Sequence, residues 1–138
     1  MQARILVVED NPSHRALLKE ICESFDFEVD LRENAEEALD AVMMFNQYAV
    51  IIVDVGLPGM SGLECAASVR TFEQRKNITR TPIIALSAID ELNMTAVSSS
   101  GIDDFIAKPF DPERLRKVLL CWAYRPQNPN LKLLPKSG

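Results

Sequence analysis

Residues 49–54 read Ala49-Val-Ile-Ile-Val-Asp54, and the loop Gly56-Leu-Pro-Gly-Met-Ser-Gly62 follows them after one more residue. The predicted strand Ala49–Val53 is apolar at every position, which is typical of a strand in the middle of a parallel sheet, because helices cover it on both faces. The loop is rich in turn-forming residues and separates the run from the next amphipathic stretch. This stretch therefore predicts an α/β fold and places the carboxylate of Asp54 where the buried strand leaves the core.

Apolar runs alternate with amphipathic stretches five times along the chain, and this rhythm predicts a five-stranded parallel sheet between two helical layers. The other predicted strands are Arg4–Val8, Glu28–Arg32, Pro82–Leu86 and Asp104–Ala107. The predicted helices begin after Asn11, after Asn34, near Leu63, near Glu91 and after Asp111. Asn and Asp are favoured at helix N-caps, and Pro12 and Pro112 suit a first helical position. The inner face of the second helix is expected to carry Leu39, Val42, Met43 and Phe45.

The composition indicates one globular domain over residues 1–124. The chain has 138 residues, of which 47% are hydrophobic, and Pro126, Pro129 and Pro135 exclude further helix after Tyr124. Residues 125–138 are therefore expected to be a loose tail or a linker. No apolar run approaches the roughly 20 residues of a membrane span, so we expect a cytoplasmic protein without membrane insertion.

The charge balance argues against direct binding of nucleic acid. Asp and Glu number 20 against 15 Lys and Arg, and the formal net charge is −5. A protein of this balance has no broad basic surface to neutralise phosphates. The three cysteines stand among apolar neighbours and are expected to be reduced core thiols.

Polar side chains follow four of the five predicted strands. Glu9 and Asp10 follow the first strand, Asp54 the third, Ser87 the fourth and Lys108 the fifth. Because the carboxyl ends of parallel strands meet at one edge of a sheet, we expect these side chains to lie together. His14, by contrast, stands in the first turn of a helix and is expected to face solvent.

This set of side chains suits a metal ion and a phosphoryl group. Glu9, Asp10 and Asp54 would repel one another unless a cation neutralises them, and an all-oxygen site favours Mg²⁺. The backbone carbonyl of Gly56 could add a ligand. Lys108 and the Ser87 hydroxyl could then contact phosphoryl oxygens. Asp54, at the end of the central strand, is best placed to be the nucleophile that forms an acyl phosphate.

Four segments in order resemble the receiver domains of two-component response regulators. They are Ile5-Leu-Val-Val-Glu-Asp-Asn11, Val53-Asp-Val-Gly-Leu-Pro-Gly-Met-Ser-Gly62, Pro82-Ile-Ile-Ala-Leu-Ser-Ala88 and Lys108-Pro109-Phe110. The resemblance covers about residues 4 to 123. It implies a three-layer, flavodoxin-like (βα)5 sandwich whose parallel strands have the order 2-1-3-4-5.

The resemblance also implies a role for each matching residue. Asp54 would accept a phosphoryl group from the phosphohistidine of a histidine kinase or a histidine phosphotransfer protein. Asp10, Asp54 and the carbonyl of Gly56 would bind Mg²⁺, with Glu9 acting through water. Ser87 and Lys108 would contact the phosphoryl oxygens, Ser87 and Phe105 would be switch residues, and Pro109 would follow a cis peptide bond. Gly56 departs from the larger residue that is usual at its position, so no side chain there shields the phosphoryl group from water.

On this interpretation the chain is a signalling module rather than an enzyme, and it catalyses only its own phosphorylation and dephosphorylation. Phosphorylation would switch the surface formed by the predicted fourth helix, the fifth strand and the fifth helix. The partner downstream would be an effector or a parent hybrid kinase, because the chain reads equally as a stand-alone regulator or as a receiver excised from a larger protein. A phosphorylation-dependent homodimer is left open.

Three other functions share the predicted fold. A pseudo-receiver would act by constitutive protein binding, although it would have no need of all five site residues. A phosphatase with an aspartyl-phosphate intermediate generally has a second acid two residues after its nucleophile, where this chain has Gly56. A flavodoxin-like cofactor carrier would bring an anionic flavin phosphate close to the acidic cluster, which would repel it.

Overall fold

The computed structural model describes residues 3–88 and 100–124. Within them the five strands are β1 Arg4–Val8, β2 Glu28–Arg32, β3 Val50–Asp54, β4 Ile83–Ala88 and β5 Asp104–Lys108. The four helices are α1 Pro12–Ser24, α2 Ala35–Met44, α3 Gly62–Lys76 and α4 Pro112–Ala123. The predicted helix at residues 91–99 and the predicted tail at 125–138 lie outside the described residues. Helix α4 is thus the fifth helix of the sequence prediction.

The strands form one parallel sheet in the order β2-β1-β3-β4-β5, which confirms the predicted topology. Strand β3 is central and every one of its residues is buried, as its apolar run predicts. Strand β4 extends two residues past the predicted end at Leu86, because Ser87 and Ala88 pair with Ala107 and Lys108 of β5. All the strands point the same way, so their carboxyl ends share one edge of the sheet.

Each face of the sheet has its own apolar layer. On one face Ile5 and Val7 of β1 pack with Leu18 of α1 and with Leu115 and Leu119 of α4. On the other face Leu6 and Val8 pack with residues of α2 and α3. The alternation of β1 side chains between two helical layers is the reason why the whole strand reads as apolar.

Two predictions about burial are wrong. The inner face of α2 is formed by Ala35, Ala38, Ala41 and Val42, and Leu39 packs against the same layer as predicted, while Met43 and Phe45 are exposed. Small residues there allow α2 to lie close to the sheet, and the larger side chains at the end of the helix turn outward. Cys121 is also exposed, whereas Cys22 and Cys65 lie in the core as expected.

Side-chain caps begin the helices at the predicted places. Asn11, Asn34 and Asp111 each accept hydrogen bonds from backbone N–H groups of the first turn of α1, α2 and α4. Helix α3 begins with a capping box that the sequence analysis missed, in which Ser61 and Glu64 bond each other's backbone N–H groups. Among the residues that the structure describes, none of the helices has both the length and the apolar character needed to cross a membrane.

Candidate functional site

Four strands bring the predicted site residues to one edge of the sheet. Glu9 and Asp10 follow β1, and Asp54 ends β3. The carboxylate oxygens of these three residues lie within 4.8 Å of one another. Lys108 ends β5, and its Nζ donates to Asp54 Oδ2 at 2.9 Å and lies 3.4 Å from Glu9 Oε1. One ammonium group thus sits between two buried carboxylates.

The loop after β3 holds Asp54 in place through backbone contacts. The Gly56 N–H donates to Asp54 Oδ1 at 3.0 Å, and the Val55 N–H donates to the carbonyl of Leu86 in β4. The chain then folds back so closely that a Cβ on Gly62 would stand 2.3 Å from the Asp54 carbonyl oxygen. Only glycine fits at that approach, so Gly62 at the start of α3 fixes the position of the strand end that carries Asp54.

Glu9 is the most enclosed carboxylate of the cluster. The residue has no exposed surface, and Oε2 accepts a hydrogen bond from the Asn11 N–H at 3.1 Å. Oε1 is buried and has no hydrogen-bond partner within the described part of the chain. Burial, reinforced by the charge of Asp54 and opposed by the Asn11 N–H and by Lys108, raises the pKa of Glu9 to about 7.

The charge of Lys108 is stabilised by the same cluster. Burial lowers the pKa of Lys108, but the hydrogen bond and charge of Asp54 and the charge of Glu9 raise it further than burial lowers it. The net pKa is above the ordinary value for lysine, so the side chain is a cation at neutral pH. It can therefore interact with an anionic group that arrives at Asp54.

The donor set fits a hard divalent cation. The three clustered side chains offer only carboxylate oxygens, which are the ligands that Mg²⁺ takes in proteins. Glu9 Oε1 is buried beside Lys108 and makes no hydrogen bond within the described residues, which is an independent sign that this pocket receives a further positive charge or a water molecule. Glu9, Asp10 and Asp54 are thus the side chains that could hold Mg²⁺, and Gly56 is tied to the same cluster by its N–H.

Ser87, Phe105 and Pro109 lie beside this cluster. Ser87 is fully buried in β4, and its hydroxyl donates to the Ala88 carbonyl at 2.9 Å. Phe105 pairs with Ala85 across β4 and β5, is partly buried and packs against the α2 and α3 layer. The peptide bond between Lys108 and Pro109 is cis, the form that the family resemblance implies.

The sequence analysis missed two residues of α1 at the site. The Arg15 guanidinium donates to the carbonyls of Glu9 at 2.9 Å and Asp10 at 3.2 Å, so it fastens the strand end to the first turn of the helix. His14 faces solvent in part, as predicted, with a side chain 42% exposed, but it also places Nδ1 3.7 Å from Glu9 Oε1. The capping residue Asn11 could have indicated this arrangement, because a helix that begins directly after the end of β1 has its first turn next to the site.

Comparison with known proteins gives a consistent result. The family model for the response regulator receiver domain matches residues 5–120. The transcriptional regulatory protein SrrA of Staphylococcus aureus is 40% identical over 121 residues, which are 87% of this chain and 46% of SrrA. The chain spans less than half the length of SrrA and a smaller share of the sensor kinases that it matches, 13% in one of them.

Two solved structures have closely similar folds. The Ssk1 receiver domain of Saccharomyces cerevisiae, crystallised with the histidine phosphotransfer signalling protein Ypd1, has a TM-score of 0.82 and 26% identity over 88% of this chain and 89% of that one. The receiver domain of the sensor histidine kinase PA1611 of Pseudomonas aeruginosa has a TM-score of 0.79 and 28% identity over 91% of this chain and 100% of that one. A magnesium ion is coordinated in the active-site cleft of the latter structure.

Proposed function

Since this chain belongs to the response regulator receiver domain family, we propose that it accepts a phosphoryl group on Asp54 from a phosphohistidine in a two-component phosphorelay. The observation that carries the proposal is the position of the Asp54 carboxylate among its neighbours. It lies at the end of the central strand and accepts a hydrogen bond from Lys108. The carboxylates of Glu9 and Asp10 lie close enough to share a cation with it. A module that works only by constitutive binding would not require this arrangement.

The proposed reaction assigns a task to each group. An oxygen of Asp54 attacks phosphorus, the new O–P bond forms, and the P–N bond to the donor imidazole breaks. Glu9, Asp10, Asp54 and the Gly56 carbonyl would hold Mg²⁺, which would offset charge on the phosphoryl oxygens when bound. Lys108 is already protonated beside Asp54 and would bind a phosphoryl oxygen. The chain thereby catalyses its own phosphorylation and dephosphorylation and acts on no other substrate.

The proposed switch begins with a change of charge at Asp54. Phosphorylation gives this site a charge of roughly −1.5 to −2 and three acceptor oxygens. The Ser87 hydroxyl, which now bonds the Ala88 carbonyl, would turn to one of these oxygens. Phe105 on the neighbouring strand would then repack, and the surface around β5 and α4 would change with it. Because Phe105 has no hydroxyl, this step depends on packing alone.

The partners proposed for the chain follow from this chemistry. The donor is a histidine kinase or a histidine phosphotransfer protein, a proposal that the pairing of the similar Ssk1 receiver with Ypd1 supports. The recipient of the signal is a downstream effector or a parent hybrid kinase. A cytoplasmic location and a homodimer that forms on phosphorylation belong to the same proposal.

Intact-mass spectrometry with a small-molecule phosphodonor tests the proposal. We expect the protein to gain one phosphoryl group in Mg²⁺ and none when a chelator is present. The product should be labile in base, as an acyl phosphate is, and its decay rate would show how Gly56 affects its lifetime. No gain from either a small donor or a phosphorylated phosphotransfer protein, with Mg²⁺ binding measured separately, would favour a pseudo-receiver.

Mg²⁺ is expected to stabilise the fold through the acidic cluster. Because the ion would bind the folded chain and not the unfolded one, each tenfold rise in Mg²⁺ above saturation should add about 1.4 kcal/mol to the free energy of unfolding. Urea denaturation at several Mg²⁺ concentrations measures this slope. Asp10→Asn should remove most of it, while Asp40→Asn on the exposed face of α2 should keep it. Equal slopes in the two variants would show that Asp10 is not a ligand of the metal ion.

A further inference from the structure

His14 Nδ1 and Glu9 Oε1 are two buried polar atoms that face each other and make no hydrogen bond within the described residues. His14 Nδ1 lies 3.7 Å from Glu9 Oε1, and neither atom has a hydrogen-bond partner within residues 3–88 and 100–124. The His14 side chain is 42% exposed and the Glu9 side chain 1% exposed. The imidazole therefore stands at the rim of the pocket with one edge in solvent and Nδ1 directed at the carboxylate.

Contacts on two sides hold the His14 ring in this position. Its backbone N–H donates to the capping side chain of Asn11 at 3.1 Å, which fixes the first turn of α1. The ring also meets Phe110 edge to face, with ring centroids 6.1 Å apart and an interplanar angle of 75°. Phe110 comes directly after Lys108 and the cis-linked Pro109. The first turn of α1 thus places the imidazole beside the end of β1, and the ring contacts the segment that follows β5.

We propose that His14 is a positioning residue, whose Nδ1–H orients the Glu9 carboxylate for binding of the metal ion and its water. The inference rests on the proposed function, because it needs Mg²⁺ at this cluster. The present separation of 3.7 Å exceeds a hydrogen bond of about 2.7–3.2 Å by about 0.5–1 Å, a movement that one side-chain rotation covers. Asn11 already holds Oε2, so a bond from His14 to Oε1 would fix both oxygens of the carboxylate.

The neighbours of Glu9 explain why a second fixed donor matters. Lys108 Nζ forms an ion pair with Oε1 at 3.4 Å, while its shorter hydrogen bond, at 2.9 Å, goes to Asp54. When Lys108 turns to an incoming phosphoryl oxygen, Glu9 loses that charge and keeps only the Asn11 N–H and His14. Removing an outer partner of a metal-site carboxylate typically weakens metal binding about 10–100-fold. We expect the low end of this range, because the Asn11 hydrogen bond remains.

Three substitutions separate the hydrogen-bond donor from the bulk of the ring. His14→Asn can place an amide nitrogen where Nδ1 lies, His14→Gln places it near the Nε2 position, and His14→Leu supplies bulk without a donor. Isothermal titration calorimetry of the whole unphosphorylated chain with Mg²⁺ measures the dissociation constant. We expect His14→Asn to bind Mg²⁺ within about twofold of the original chain, and His14→Gln and His14→Leu to bind about tenfold more weakly.

The outcomes distinguish this inference from the proposed function. If His14→Leu binds Mg²⁺ as tightly as the original chain, His14 has no positioning role. An affinity loss that is equal in all three variants, or that follows their melting temperatures without metal, would assign His14 to packing and overturn the inference. If the original chain itself binds no Mg²⁺, it is the proposed metal site that fails.

Discussion

Asp54→Asn is expected to abolish the phosphoryl gain completely, since the amide has no anionic oxygen to attack phosphorus. The substitution changes few atoms, and the remaining carbonyl oxygen can still accept from the Gly56 N–H, which now donates to Oδ1 at 3.0 Å. The fold should therefore persist while the reaction stops. Intact-mass spectrometry after incubation with the phosphodonor and Mg²⁺ measures the gain, and urea denaturation confirms that the variant is folded.

A matched control makes this result specific. Asp40→Asn introduces the same chemical change on an exposed position of α2, away from the sheet edge, and should keep the full mass gain. Persistent single labelling of the Asp54→Asn chain would show that another residue is the acceptor. Peptide mapping would then identify that residue, and the assignment of Asp54 would be withdrawn.

Local patterns in the sequence were sufficient to predict most of the fold. The five apolar runs predicted all five strands. The predicted and observed strand ends differ by no more than two residues, and the largest difference is at the end of β4, at Ala88. The caps at Asn11, Asn34 and Asp111 were predictable because a side chain that binds its own helix start acts over only a few residues. The cluster of Glu9, Asp10 and Asp54 followed from the rule that parallel strands end at a common edge.

Contacts between distant segments were not predictable in this way. The direction of the Ser87 hydroxyl depends on how β4 and β5 end together, and the approach of His14 to Glu9 depends on the first turn of α1. Arg70 is a stronger example. The sequence analysis gave Arg70 no role, and its partners come from residues up to 33 positions away.

The Arg70 guanidinium is the centre of a polar network at the start of β4 and β5. It bonds Glu73 at 2.8 Å, the Thr81 carbonyl at 2.8 Å and Asp103 at 2.8 Å. Two further bonds, at 3.0 and 2.8 Å, go to the carbonyl of Gly101. Arg70 thereby fastens α3 to residues 101–103, which lead directly into the strand that carries Phe105 and Lys108.

The acidic partners of Arg70 also accept hydrogen bonds from backbone N–H groups. Glu73 accepts from the Thr81 N–H at 2.8 Å, and Asp103 accepts from the Ile83 N–H at 2.9 Å. Their side chains are only 6% and 11% exposed. Without the guanidinium, the buried Glu73 carboxylate would keep the Thr81 N–H as its donor, and Asp103 would keep the Ile83 N–H and the exposed Arg80. A network of this kind is costly to break even where its net contribution to folding is small.

Arg70→Met is therefore expected to lower the free energy of unfolding by about 3–5 kcal/mol, the cost of leaving a buried charge without its partner. Urea denaturation of the whole chain measures this loss. The matched control is Arg80→Met, because Arg80 also bonds Asp103, at 2.7 Å, and the Gly101 carbonyl, at 3.2 Å, but its side chain is 56% exposed. Solvent screening should limit that loss to about 1 kcal/mol or less.

Substitutions of Arg70 also test whether this network supports the phosphorylation site at Asp54. Arg70→Lys keeps the charge but has three donors in place of five, so its stability should lie between those of Arg70→Met and the original chain. Because residues 101–103 set the start of β5, a weaker anchor should also slow phosphorylation under conditions where the variant is still folded. Equal stability losses in Arg70→Met and Arg80→Met would contradict this account, since they would show that burial of the network adds nothing to the exposed ion pair.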